Sequence, residues 1–196
     1  MAAAVLVISD SICRPLGGLL DATVKAFGGL TTSGLMDKLE RGEGEVVELV
    51  RRAKLVILHV GTNDVDNYVS RGIVNNIVLN FNIITQHLLV YNPMCHIMIS
   101  SIIPRPKDFP VTNPVIKVTN KELRVFCKSH PRVHFLSTHS IFFSGGGLKL
   151  EVLSPDQGFK WFHRDGLHLS DTGAVHMMRL FANSCHLWVQ GKIRFS

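Results

Sequence analysis

Ser9-Asp10-Ser11 follows directly on the apolar run Val5 to Ile8. A serine at the turn leaving a strand can present its hydroxyl near the start of the next helix, where backbone N–H groups stabilise negative charge. Gly61-Thr62-Asn63-Asp64 stands in the same relation to the run Leu55 to Val60. The Asn63 amide is a fixed neutral donor, suited to an oxyanion that forms only in a transition state, and Gly61 lets the backbone approach closely. In Asp165-Gly166-Leu167-His168 a carboxylate precedes a histidine by three residues. That spacing lets Asp165 reach Nδ1–H of His168 and leaves Nε2 free to take a proton from a serine. Each cluster alone also has an ordinary reading: a helix cap, a turn of common turn residues, and one surface histidine among ten. Together they supply a nucleophile (Ser11), an oxyanion donor (Asn63) and an acid–base pair (Asp165 and His168).

The elements that must position these groups are short apolar runs alternating with amphipathic stretches. Val5 to Ile8, Leu55 to Val60, His96 to Ser101 and Val133 to Leu136 read as strands, with Ala22 to Phe27 a weaker fifth. Helical patterns cover Thr32 to Arg41, Glu43 to Ala53, Ser70 to Tyr91, Asn113 to His130 and Ser170 to Gln190. Strands alternating with helices imply crossover connections and a mainly parallel sheet covered on both faces, with ligands beyond the carboxyl ends of the strands. All three clusters should gather at that edge.

The chain has 196 residues, 46% of them apolar and 18% charged, a globular rather than a disordered composition that fits one α/β domain over residues 1–196. The apolar N-terminus lacks a basic leader, and no stretch approaches the ~20 apolar residues of a membrane span. Cys13, Cys95, Cys127 and Cys185 are widely spaced, which argues against a disulfide framework and for reduced thiols in the cytoplasm. The net charge of +6 favours anionic partners such as nucleic acid or acidic lipid headgroups. Lys117, Lys121, Arg124 and Lys128 fall at helical spacing and read as a solvated basic face. The Ser-first, Asp–His-last order and the absence of Gly-x-Ser-x-Gly argue against an α/β-hydrolase. No Walker-type motif, HExxH or Cys/His ligand cluster is present, so a metal site is not expected.

With these residues in place, the sequence resembles the SGNH (GDSL-like) hydrolases. Val7-Ile8-Ser9-Asp10-Ser11-Ile12 is similar to their nucleophile block, His59-Val60-Gly61-Thr62-Asn63-Asp64 to their Asn block and Asp165-Gly166-Leu167-His168 to their Asp-x-x-His block. Phe27-Gly28-Gly29-Leu30 is the best candidate for the Gly block, with Gly29 preferred over Gly28. The resemblance implies a three-layer α/β/α flavodoxin-like sandwich with a five-stranded, mainly parallel sheet in the order 2-1-3-4-5. It implies no metal and no organic cofactor. It also implies a serine esterase acting on carboxylic, often short-acyl or acetyl, esters through an acyl-serine intermediate, with Ser11, His168 and Asp165 catalytic and Ser11, Gly29 and Asn63 holding the oxyanion.

A narrower likeness is to the esterase domains of first-open-reading-frame proteins of CR1/L2-type non-LTR retrotransposons. It rests on His59 to Asp64, on Ser100-Ser101-Ile102-Ile103-Pro104-Arg105, on Asn120 with Leu123 and on Asp165 to Gly173. It implies that nucleic acid would be handled by flanking domains. Ser9 replaces the family's usual Gly, so the turn before Ser11 is expected to be shaped differently. Cys13 reads as small and buried. A base of the histidine type predicts activity that rises through the ordinary imidazole range, ~6.5.

Phe142, Phe143, Phe159, Trp161 and Phe162 flank the loop into Asp165 and read either as an acyl pocket or as core beneath that loop. On the first reading Trp161 and Phe162 bind substrate, and Arg105, between two prolines, either meets an anionic headgroup or simply lies on the rim. The rival from another class is a non-catalytic module that uses the same sheet and a basic surface to hold RNA.

Overall fold

Short, mostly apolar segments form the strands Val5–Ser9 (β1), Thr23–Ala26 (β2, the least apolar), Leu55–His59 (β3), His96–Ser100 (β4) and Val133–Leu136 (β5). They pair in parallel in the order β2-β1-β3-β4-β5. The structure is a computed structural model that describes residues 5–17, 22–42, 44–66, 72–144, 147–149 and 160–191. The sheet is the one expected, and the pairing of β1 with both β2 and β3 puts the reversal of strand order beside β1, where ligands bind in open α/β sheets.

β1 and β3 are buried along their whole length because helices cover both faces. Leu6, Ile8, Val56, Leu58, Ile97 and Ile99 face one side. There they pack against helices Thr32–Glu40 (α1), Gly44–Arg52 (α2), Ile73–Tyr91 (α3) and Phe109–Lys128 (α4). Val5, Val7, Leu55, Ile57 and Met98 face the other side. They meet helix Asp171–Val189 (α5) through Met177 and Phe181, and the 3₁₀ turn Ser11–Leu16 through Ile12 and Leu16. Thr31 caps α1 by accepting from the Gly34 N–H, and Ser170 caps α5 by accepting from the Gly173 N–H.

Several expectations need correction. α4 begins at Phe109 rather than Asn113, because Pro110 occupies the first turn, where a missing N–H costs nothing. Pro114 then lies inside the helix. The serine of the nucleophile cluster opens a six-residue 3₁₀ turn rather than an α-helix. A short hairpin, Phe143–Ser144 (β6) with Gly147–Leu148 (β7), follows β5 and was not anticipated. α3 is long and apolar enough to cross a membrane by length and composition, against the expectation that no stretch comes near. In this fold it buries Ile77, Phe81, Ile84 and Leu88 and exposes Asn75, Asn76 and Gln86 together with Leu79 and Val90. Glu43, Ser70 and Phe159, which entered the sequence reading, lie outside the described residues.

Candidate active site

The three clusters meet at the carboxyl edge of the sheet. Asp10 caps the turn after β1 by accepting the Ile12 N–H on Oδ1 at 3.0 Å, and its own N–H donates to His59 O. This fixes Ser11 at the first position of the turn. Ser9 adopts ordinary backbone angles, since no residue other than glycine has a positive φ among the described residues, so the replacement of Gly leaves the turn unstrained. Its hydroxyl donates to Asp10 O and accepts the Cys13 N–H. Cys13 is buried, as expected, and burial pushes its thiol well above the usual value.

Ser11 Oγ lies 2.9 Å from His168 Nε2, and His168 Nδ1 lies 2.6 Å from Asp165 Oδ2. A carboxylate can only accept, so Nδ1 carries the proton and Nε2 is left to accept from the Ser11 hydroxyl. The other oxygen, Asp165 Oδ1, accepts the N–H groups of Leu167 and His168 at 2.9 and 3.0 Å. Burial alone would raise the Asp165 carboxyl. The hydrogen bonds from the His168 ring and from these two N–H groups outweigh it and hold the group below its ordinary value. The loop is closed on itself by His163 N–H to His168 O at 2.8 Å and by Gly166 N–H to His163 O at 2.9 Å.

The Gly29 and Asn63 arms are stapled together. Asn63 Nδ2 donates to Leu30 O at 3.0 Å, which spends one of its two hydrogens and fixes where the second points. Asp64 accepts the Thr32 N–H and the Thr32 hydroxyl, so the carboxylate also sits at the N-terminus of α1, where the helix dipole favours it. Burial nonetheless raises the Asp64 carboxyl. Gly61 has φ +118°, and a Cβ there would lie 2.8 Å from Ile102 Cδ1, so the chain passes here only as glycine. Among the described residues the N–H groups of Ser11 and Gly29 donate to no protein acceptor, which leaves both free for an anion. The set has what acyl transfer needs: a serine hydroxyl against a base, an orienting carboxylate and three candidate donors. Among the described residues no group of three His, Cys, Asp or Glu side chains is placed to hold a metal ion.

The residues expected to bind substrate are placed differently. Arg105 is 5% exposed, and its guanidinium is taken up by Asp108 and by the carbonyls of Thr62 and Val65, so no face is left for a headgroup. Trp161 and Phe162 are core. Their rings pack on Phe142, each at 5.4 Å between centroids, and Trp161 also stacks on His176. They close the second face of the sheet under the loop and form no lip. Sequence reasoning missed Asp64 as the anchor of the Asn63 arm, and Asp108 altogether. It also missed a buried chain at the ends of β3 to β5. There His59 Nδ1 meets Ser100 Oγ at 2.8 Å, and Thr138 Oγ1 lies 2.9 Å from both Ser100 and Ser101 Oγ. Isolated Ser and Thr residues carry no pattern that would have revealed it.

Residues 10–175 match the GDSL-like lipase/acylhydrolase family. Solved structures give the same fold. A GDSL-like lipase from Bacteroides thetaiotaomicron superposes with a TM-score of 0.71 at 15% identity, covering 93% of this chain and 87% of that one. The lipase Lip_vut3 from a goat rumen metagenome gives 0.69 at 14% identity, with both chains fully covered. A carbohydrate esterase family 3 protein from Talaromyces cellulolyticus gives 0.66 at 15% identity, covering 96% of this chain and 99% of that one. No curated protein sequence matches the chain.

Proposed function

The chain belongs to the GDSL-like lipase/acylhydrolase family, and from that premise we propose that it is a serine esterase using Ser11, His168 and Asp165 on short-acyl or acetyl carboxylic esters. The observation that carries this reading is the unbroken relay from Ser11 Oγ through the His168 ring to Asp165 Oδ2. As Ser11 Oγ attacks the ester carbonyl, its proton passes to His168 Nε2. The oxyanion is met by the Ser11 and Gly29 N–H groups and the Asn63 amide. His168 then protonates the leaving alcohol, and water attacks the acyl-serine by the same route in reverse.

The preference for a short acyl group is supported by two things. Phe142, Trp161 and Phe162 are committed to the core, and the similar folds include a carbohydrate esterase and an acetyl esterase solved with acetate. The wording of the Asn and Asp-x-x-His blocks supports a place among the retrotransposon esterase domains, where flanking domains would meet nucleic acid. The test is hydrolysis of p-nitrophenyl acetate by the wild type and by Ser11→Ala. The expected loss is about 10⁴-fold or more. No turnover by the wild type, or turnover that survives the substitution, contradicts the reading and turns attention to the binding module.

A further inference from the structure

We infer that Arg105 is a positioning residue for the reaction: through the Thr62 and Val65 carbonyls it fixes the loop that carries Asn63, and so sets the oxyanion donor. This rests on the reading of Asn63 given above. The guanidinium is bound on two edges. Nε and Nη2 donate to the two oxygens of Asp108 at 3.0 and 2.6 Å. Nη1 donates to Thr62 O at 2.6 Å and to Val65 O. Thr62 and Val65 bracket Asn63 and Asp64, so the arginine holds the loop on both sides of the donor. Asp108 neutralises the buried cation and is itself held by the Thr112 hydroxyl at 3.0 Å.

The same turn reaches the other half of the site. Lys107 N–H, two residues from Arg105, donates to Gly166 O at 3.1 Å. Gly166 has φ +62°, and a Cβ there would lie 2.7 Å from Lys107 N, so the turn and the Asp165–His168 loop are in close contact. Four residues, Arg105 to Asp108, therefore touch both the oxyanion loop and the acid–base loop. Only a planar fork serves all these acceptors at once. A lysine offers one point charge and cannot span both Asp108 oxygens and two carbonyls.

The test is a double-mutant cycle on p-nitrophenyl acetate with the full chain: wild type, Arg105→Lys, Asn63→Ala and the double variant. Folding is checked by near-ultraviolet circular dichroism. Arg105→Lys is expected to lower kcat about tenfold or more with KM changed less than about twofold, because a small misplacement of a donor is costly. In the Asn63→Ala background the same substitution should cost less than about twofold, since the group it positions has gone. Equal losses in both backgrounds, or a raised KM with unchanged kcat, overturn the inference. If Ser11→Ala is inactive in the same assay, the esterase reading stands regardless. A wild type without turnover removes both. Should Arg105→Lys fail to fold, Asp108→Asn takes its place in the cycle with the same expectation. Failure of both to fold assigns the pair to structure alone and overturns the inference.

Discussion

Ser11 and Asn63 leave the ends of β1 and β3, the two strands in the sheet that are buried along their whole length. Asp165 and His168 instead sit on a loop where 47% and 42% of their side-chain area is exposed. The first half is held by long-range bonds: Asn63 to Leu30, Asp64 to Thr32, and Arg105 to the carbonyls on either side. The second is held within six residues by its own N–H groups and is anchored to the rest by Lys107 and by Ser170, whose N–H donates to Trp161 O. Donors that must be in place before charge develops gain from rigidity and exclusion of water. The geometry of the histidine and its carboxylate is fixed by three residues of chain, and the loop as a whole need only bring Nε2 against Ser11 Oγ.

This contrast makes unequal demands on substitutions in the two halves. Asn63→Ala should cost about 10²–10³-fold in kcat with KM little changed, the usual penalty for one oxyanion donor in a dry site. Asp165→Asn should cost less than Asn63→Ala, well short of the ~10⁴-fold seen at a buried triad aspartate, because water at the exposed loop partly replaces the lost charge. Steady-state kinetics on one ester decides the order. A larger loss at Asp165 than at Asn63 would mean that the exposed loop carries more of the catalysis than its surroundings suggest.

A smaller effect concerns stability. Burial pushes the Asp10 carboxyl up to about 7, opposed mainly by the Ile12 N–H. A carboxyl raised in the fold contributes its full stability below its unfolded value, about 4, and loses it as pH rises through about 7. Asp10→Asn keeps an acceptor for the Ile12 cap and removes the charge. Its stability relative to wild type should therefore increase between about pH 4 and about pH 8, by up to roughly 4 kcal/mol. Denaturant midpoints of both proteins across that range give the difference directly, and a constant difference would place the cost of the buried half elsewhere. Taking the difference matters because burial lowers His59 to about 4, which adds a loss of stability on the acid side in both proteins.

Much of the site is legible in the sequence because its signals are local. Apolar runs end at Ser9, His59 and Ser100, and the Asp165–His168 contact spans only three residues. The parallel sheet follows from the same alternation of strands and helices, whereas its order was legible only through the family resemblance. What stayed hidden depends on distant partners. Arg105 between Pro104 and Pro106 looks like a solvated rim, yet its acceptors lie 40 and 43 residues upstream. Pro110 in the first turn of α4 and Pro114 inside it disguise the start of the helix, which buries Thr112 and Ile116. Trp161 and Phe162 have the same composition whether they line a pocket or fill a core. Only their contact with Phe142 separates the two.

The central claim is that Ser11 is the nucleophile and that His168 activates it. The most direct measurement is labelling of the whole protein with a small sulfonyl fluoride, followed by intact-mass and peptide mass spectrometry. The account predicts a single adduct on Ser11, lost in Ser11→Ala and strongly slowed in His168→Ala. An adduct on another serine, or labelling of Ser11 that is indifferent to His168, would contradict it.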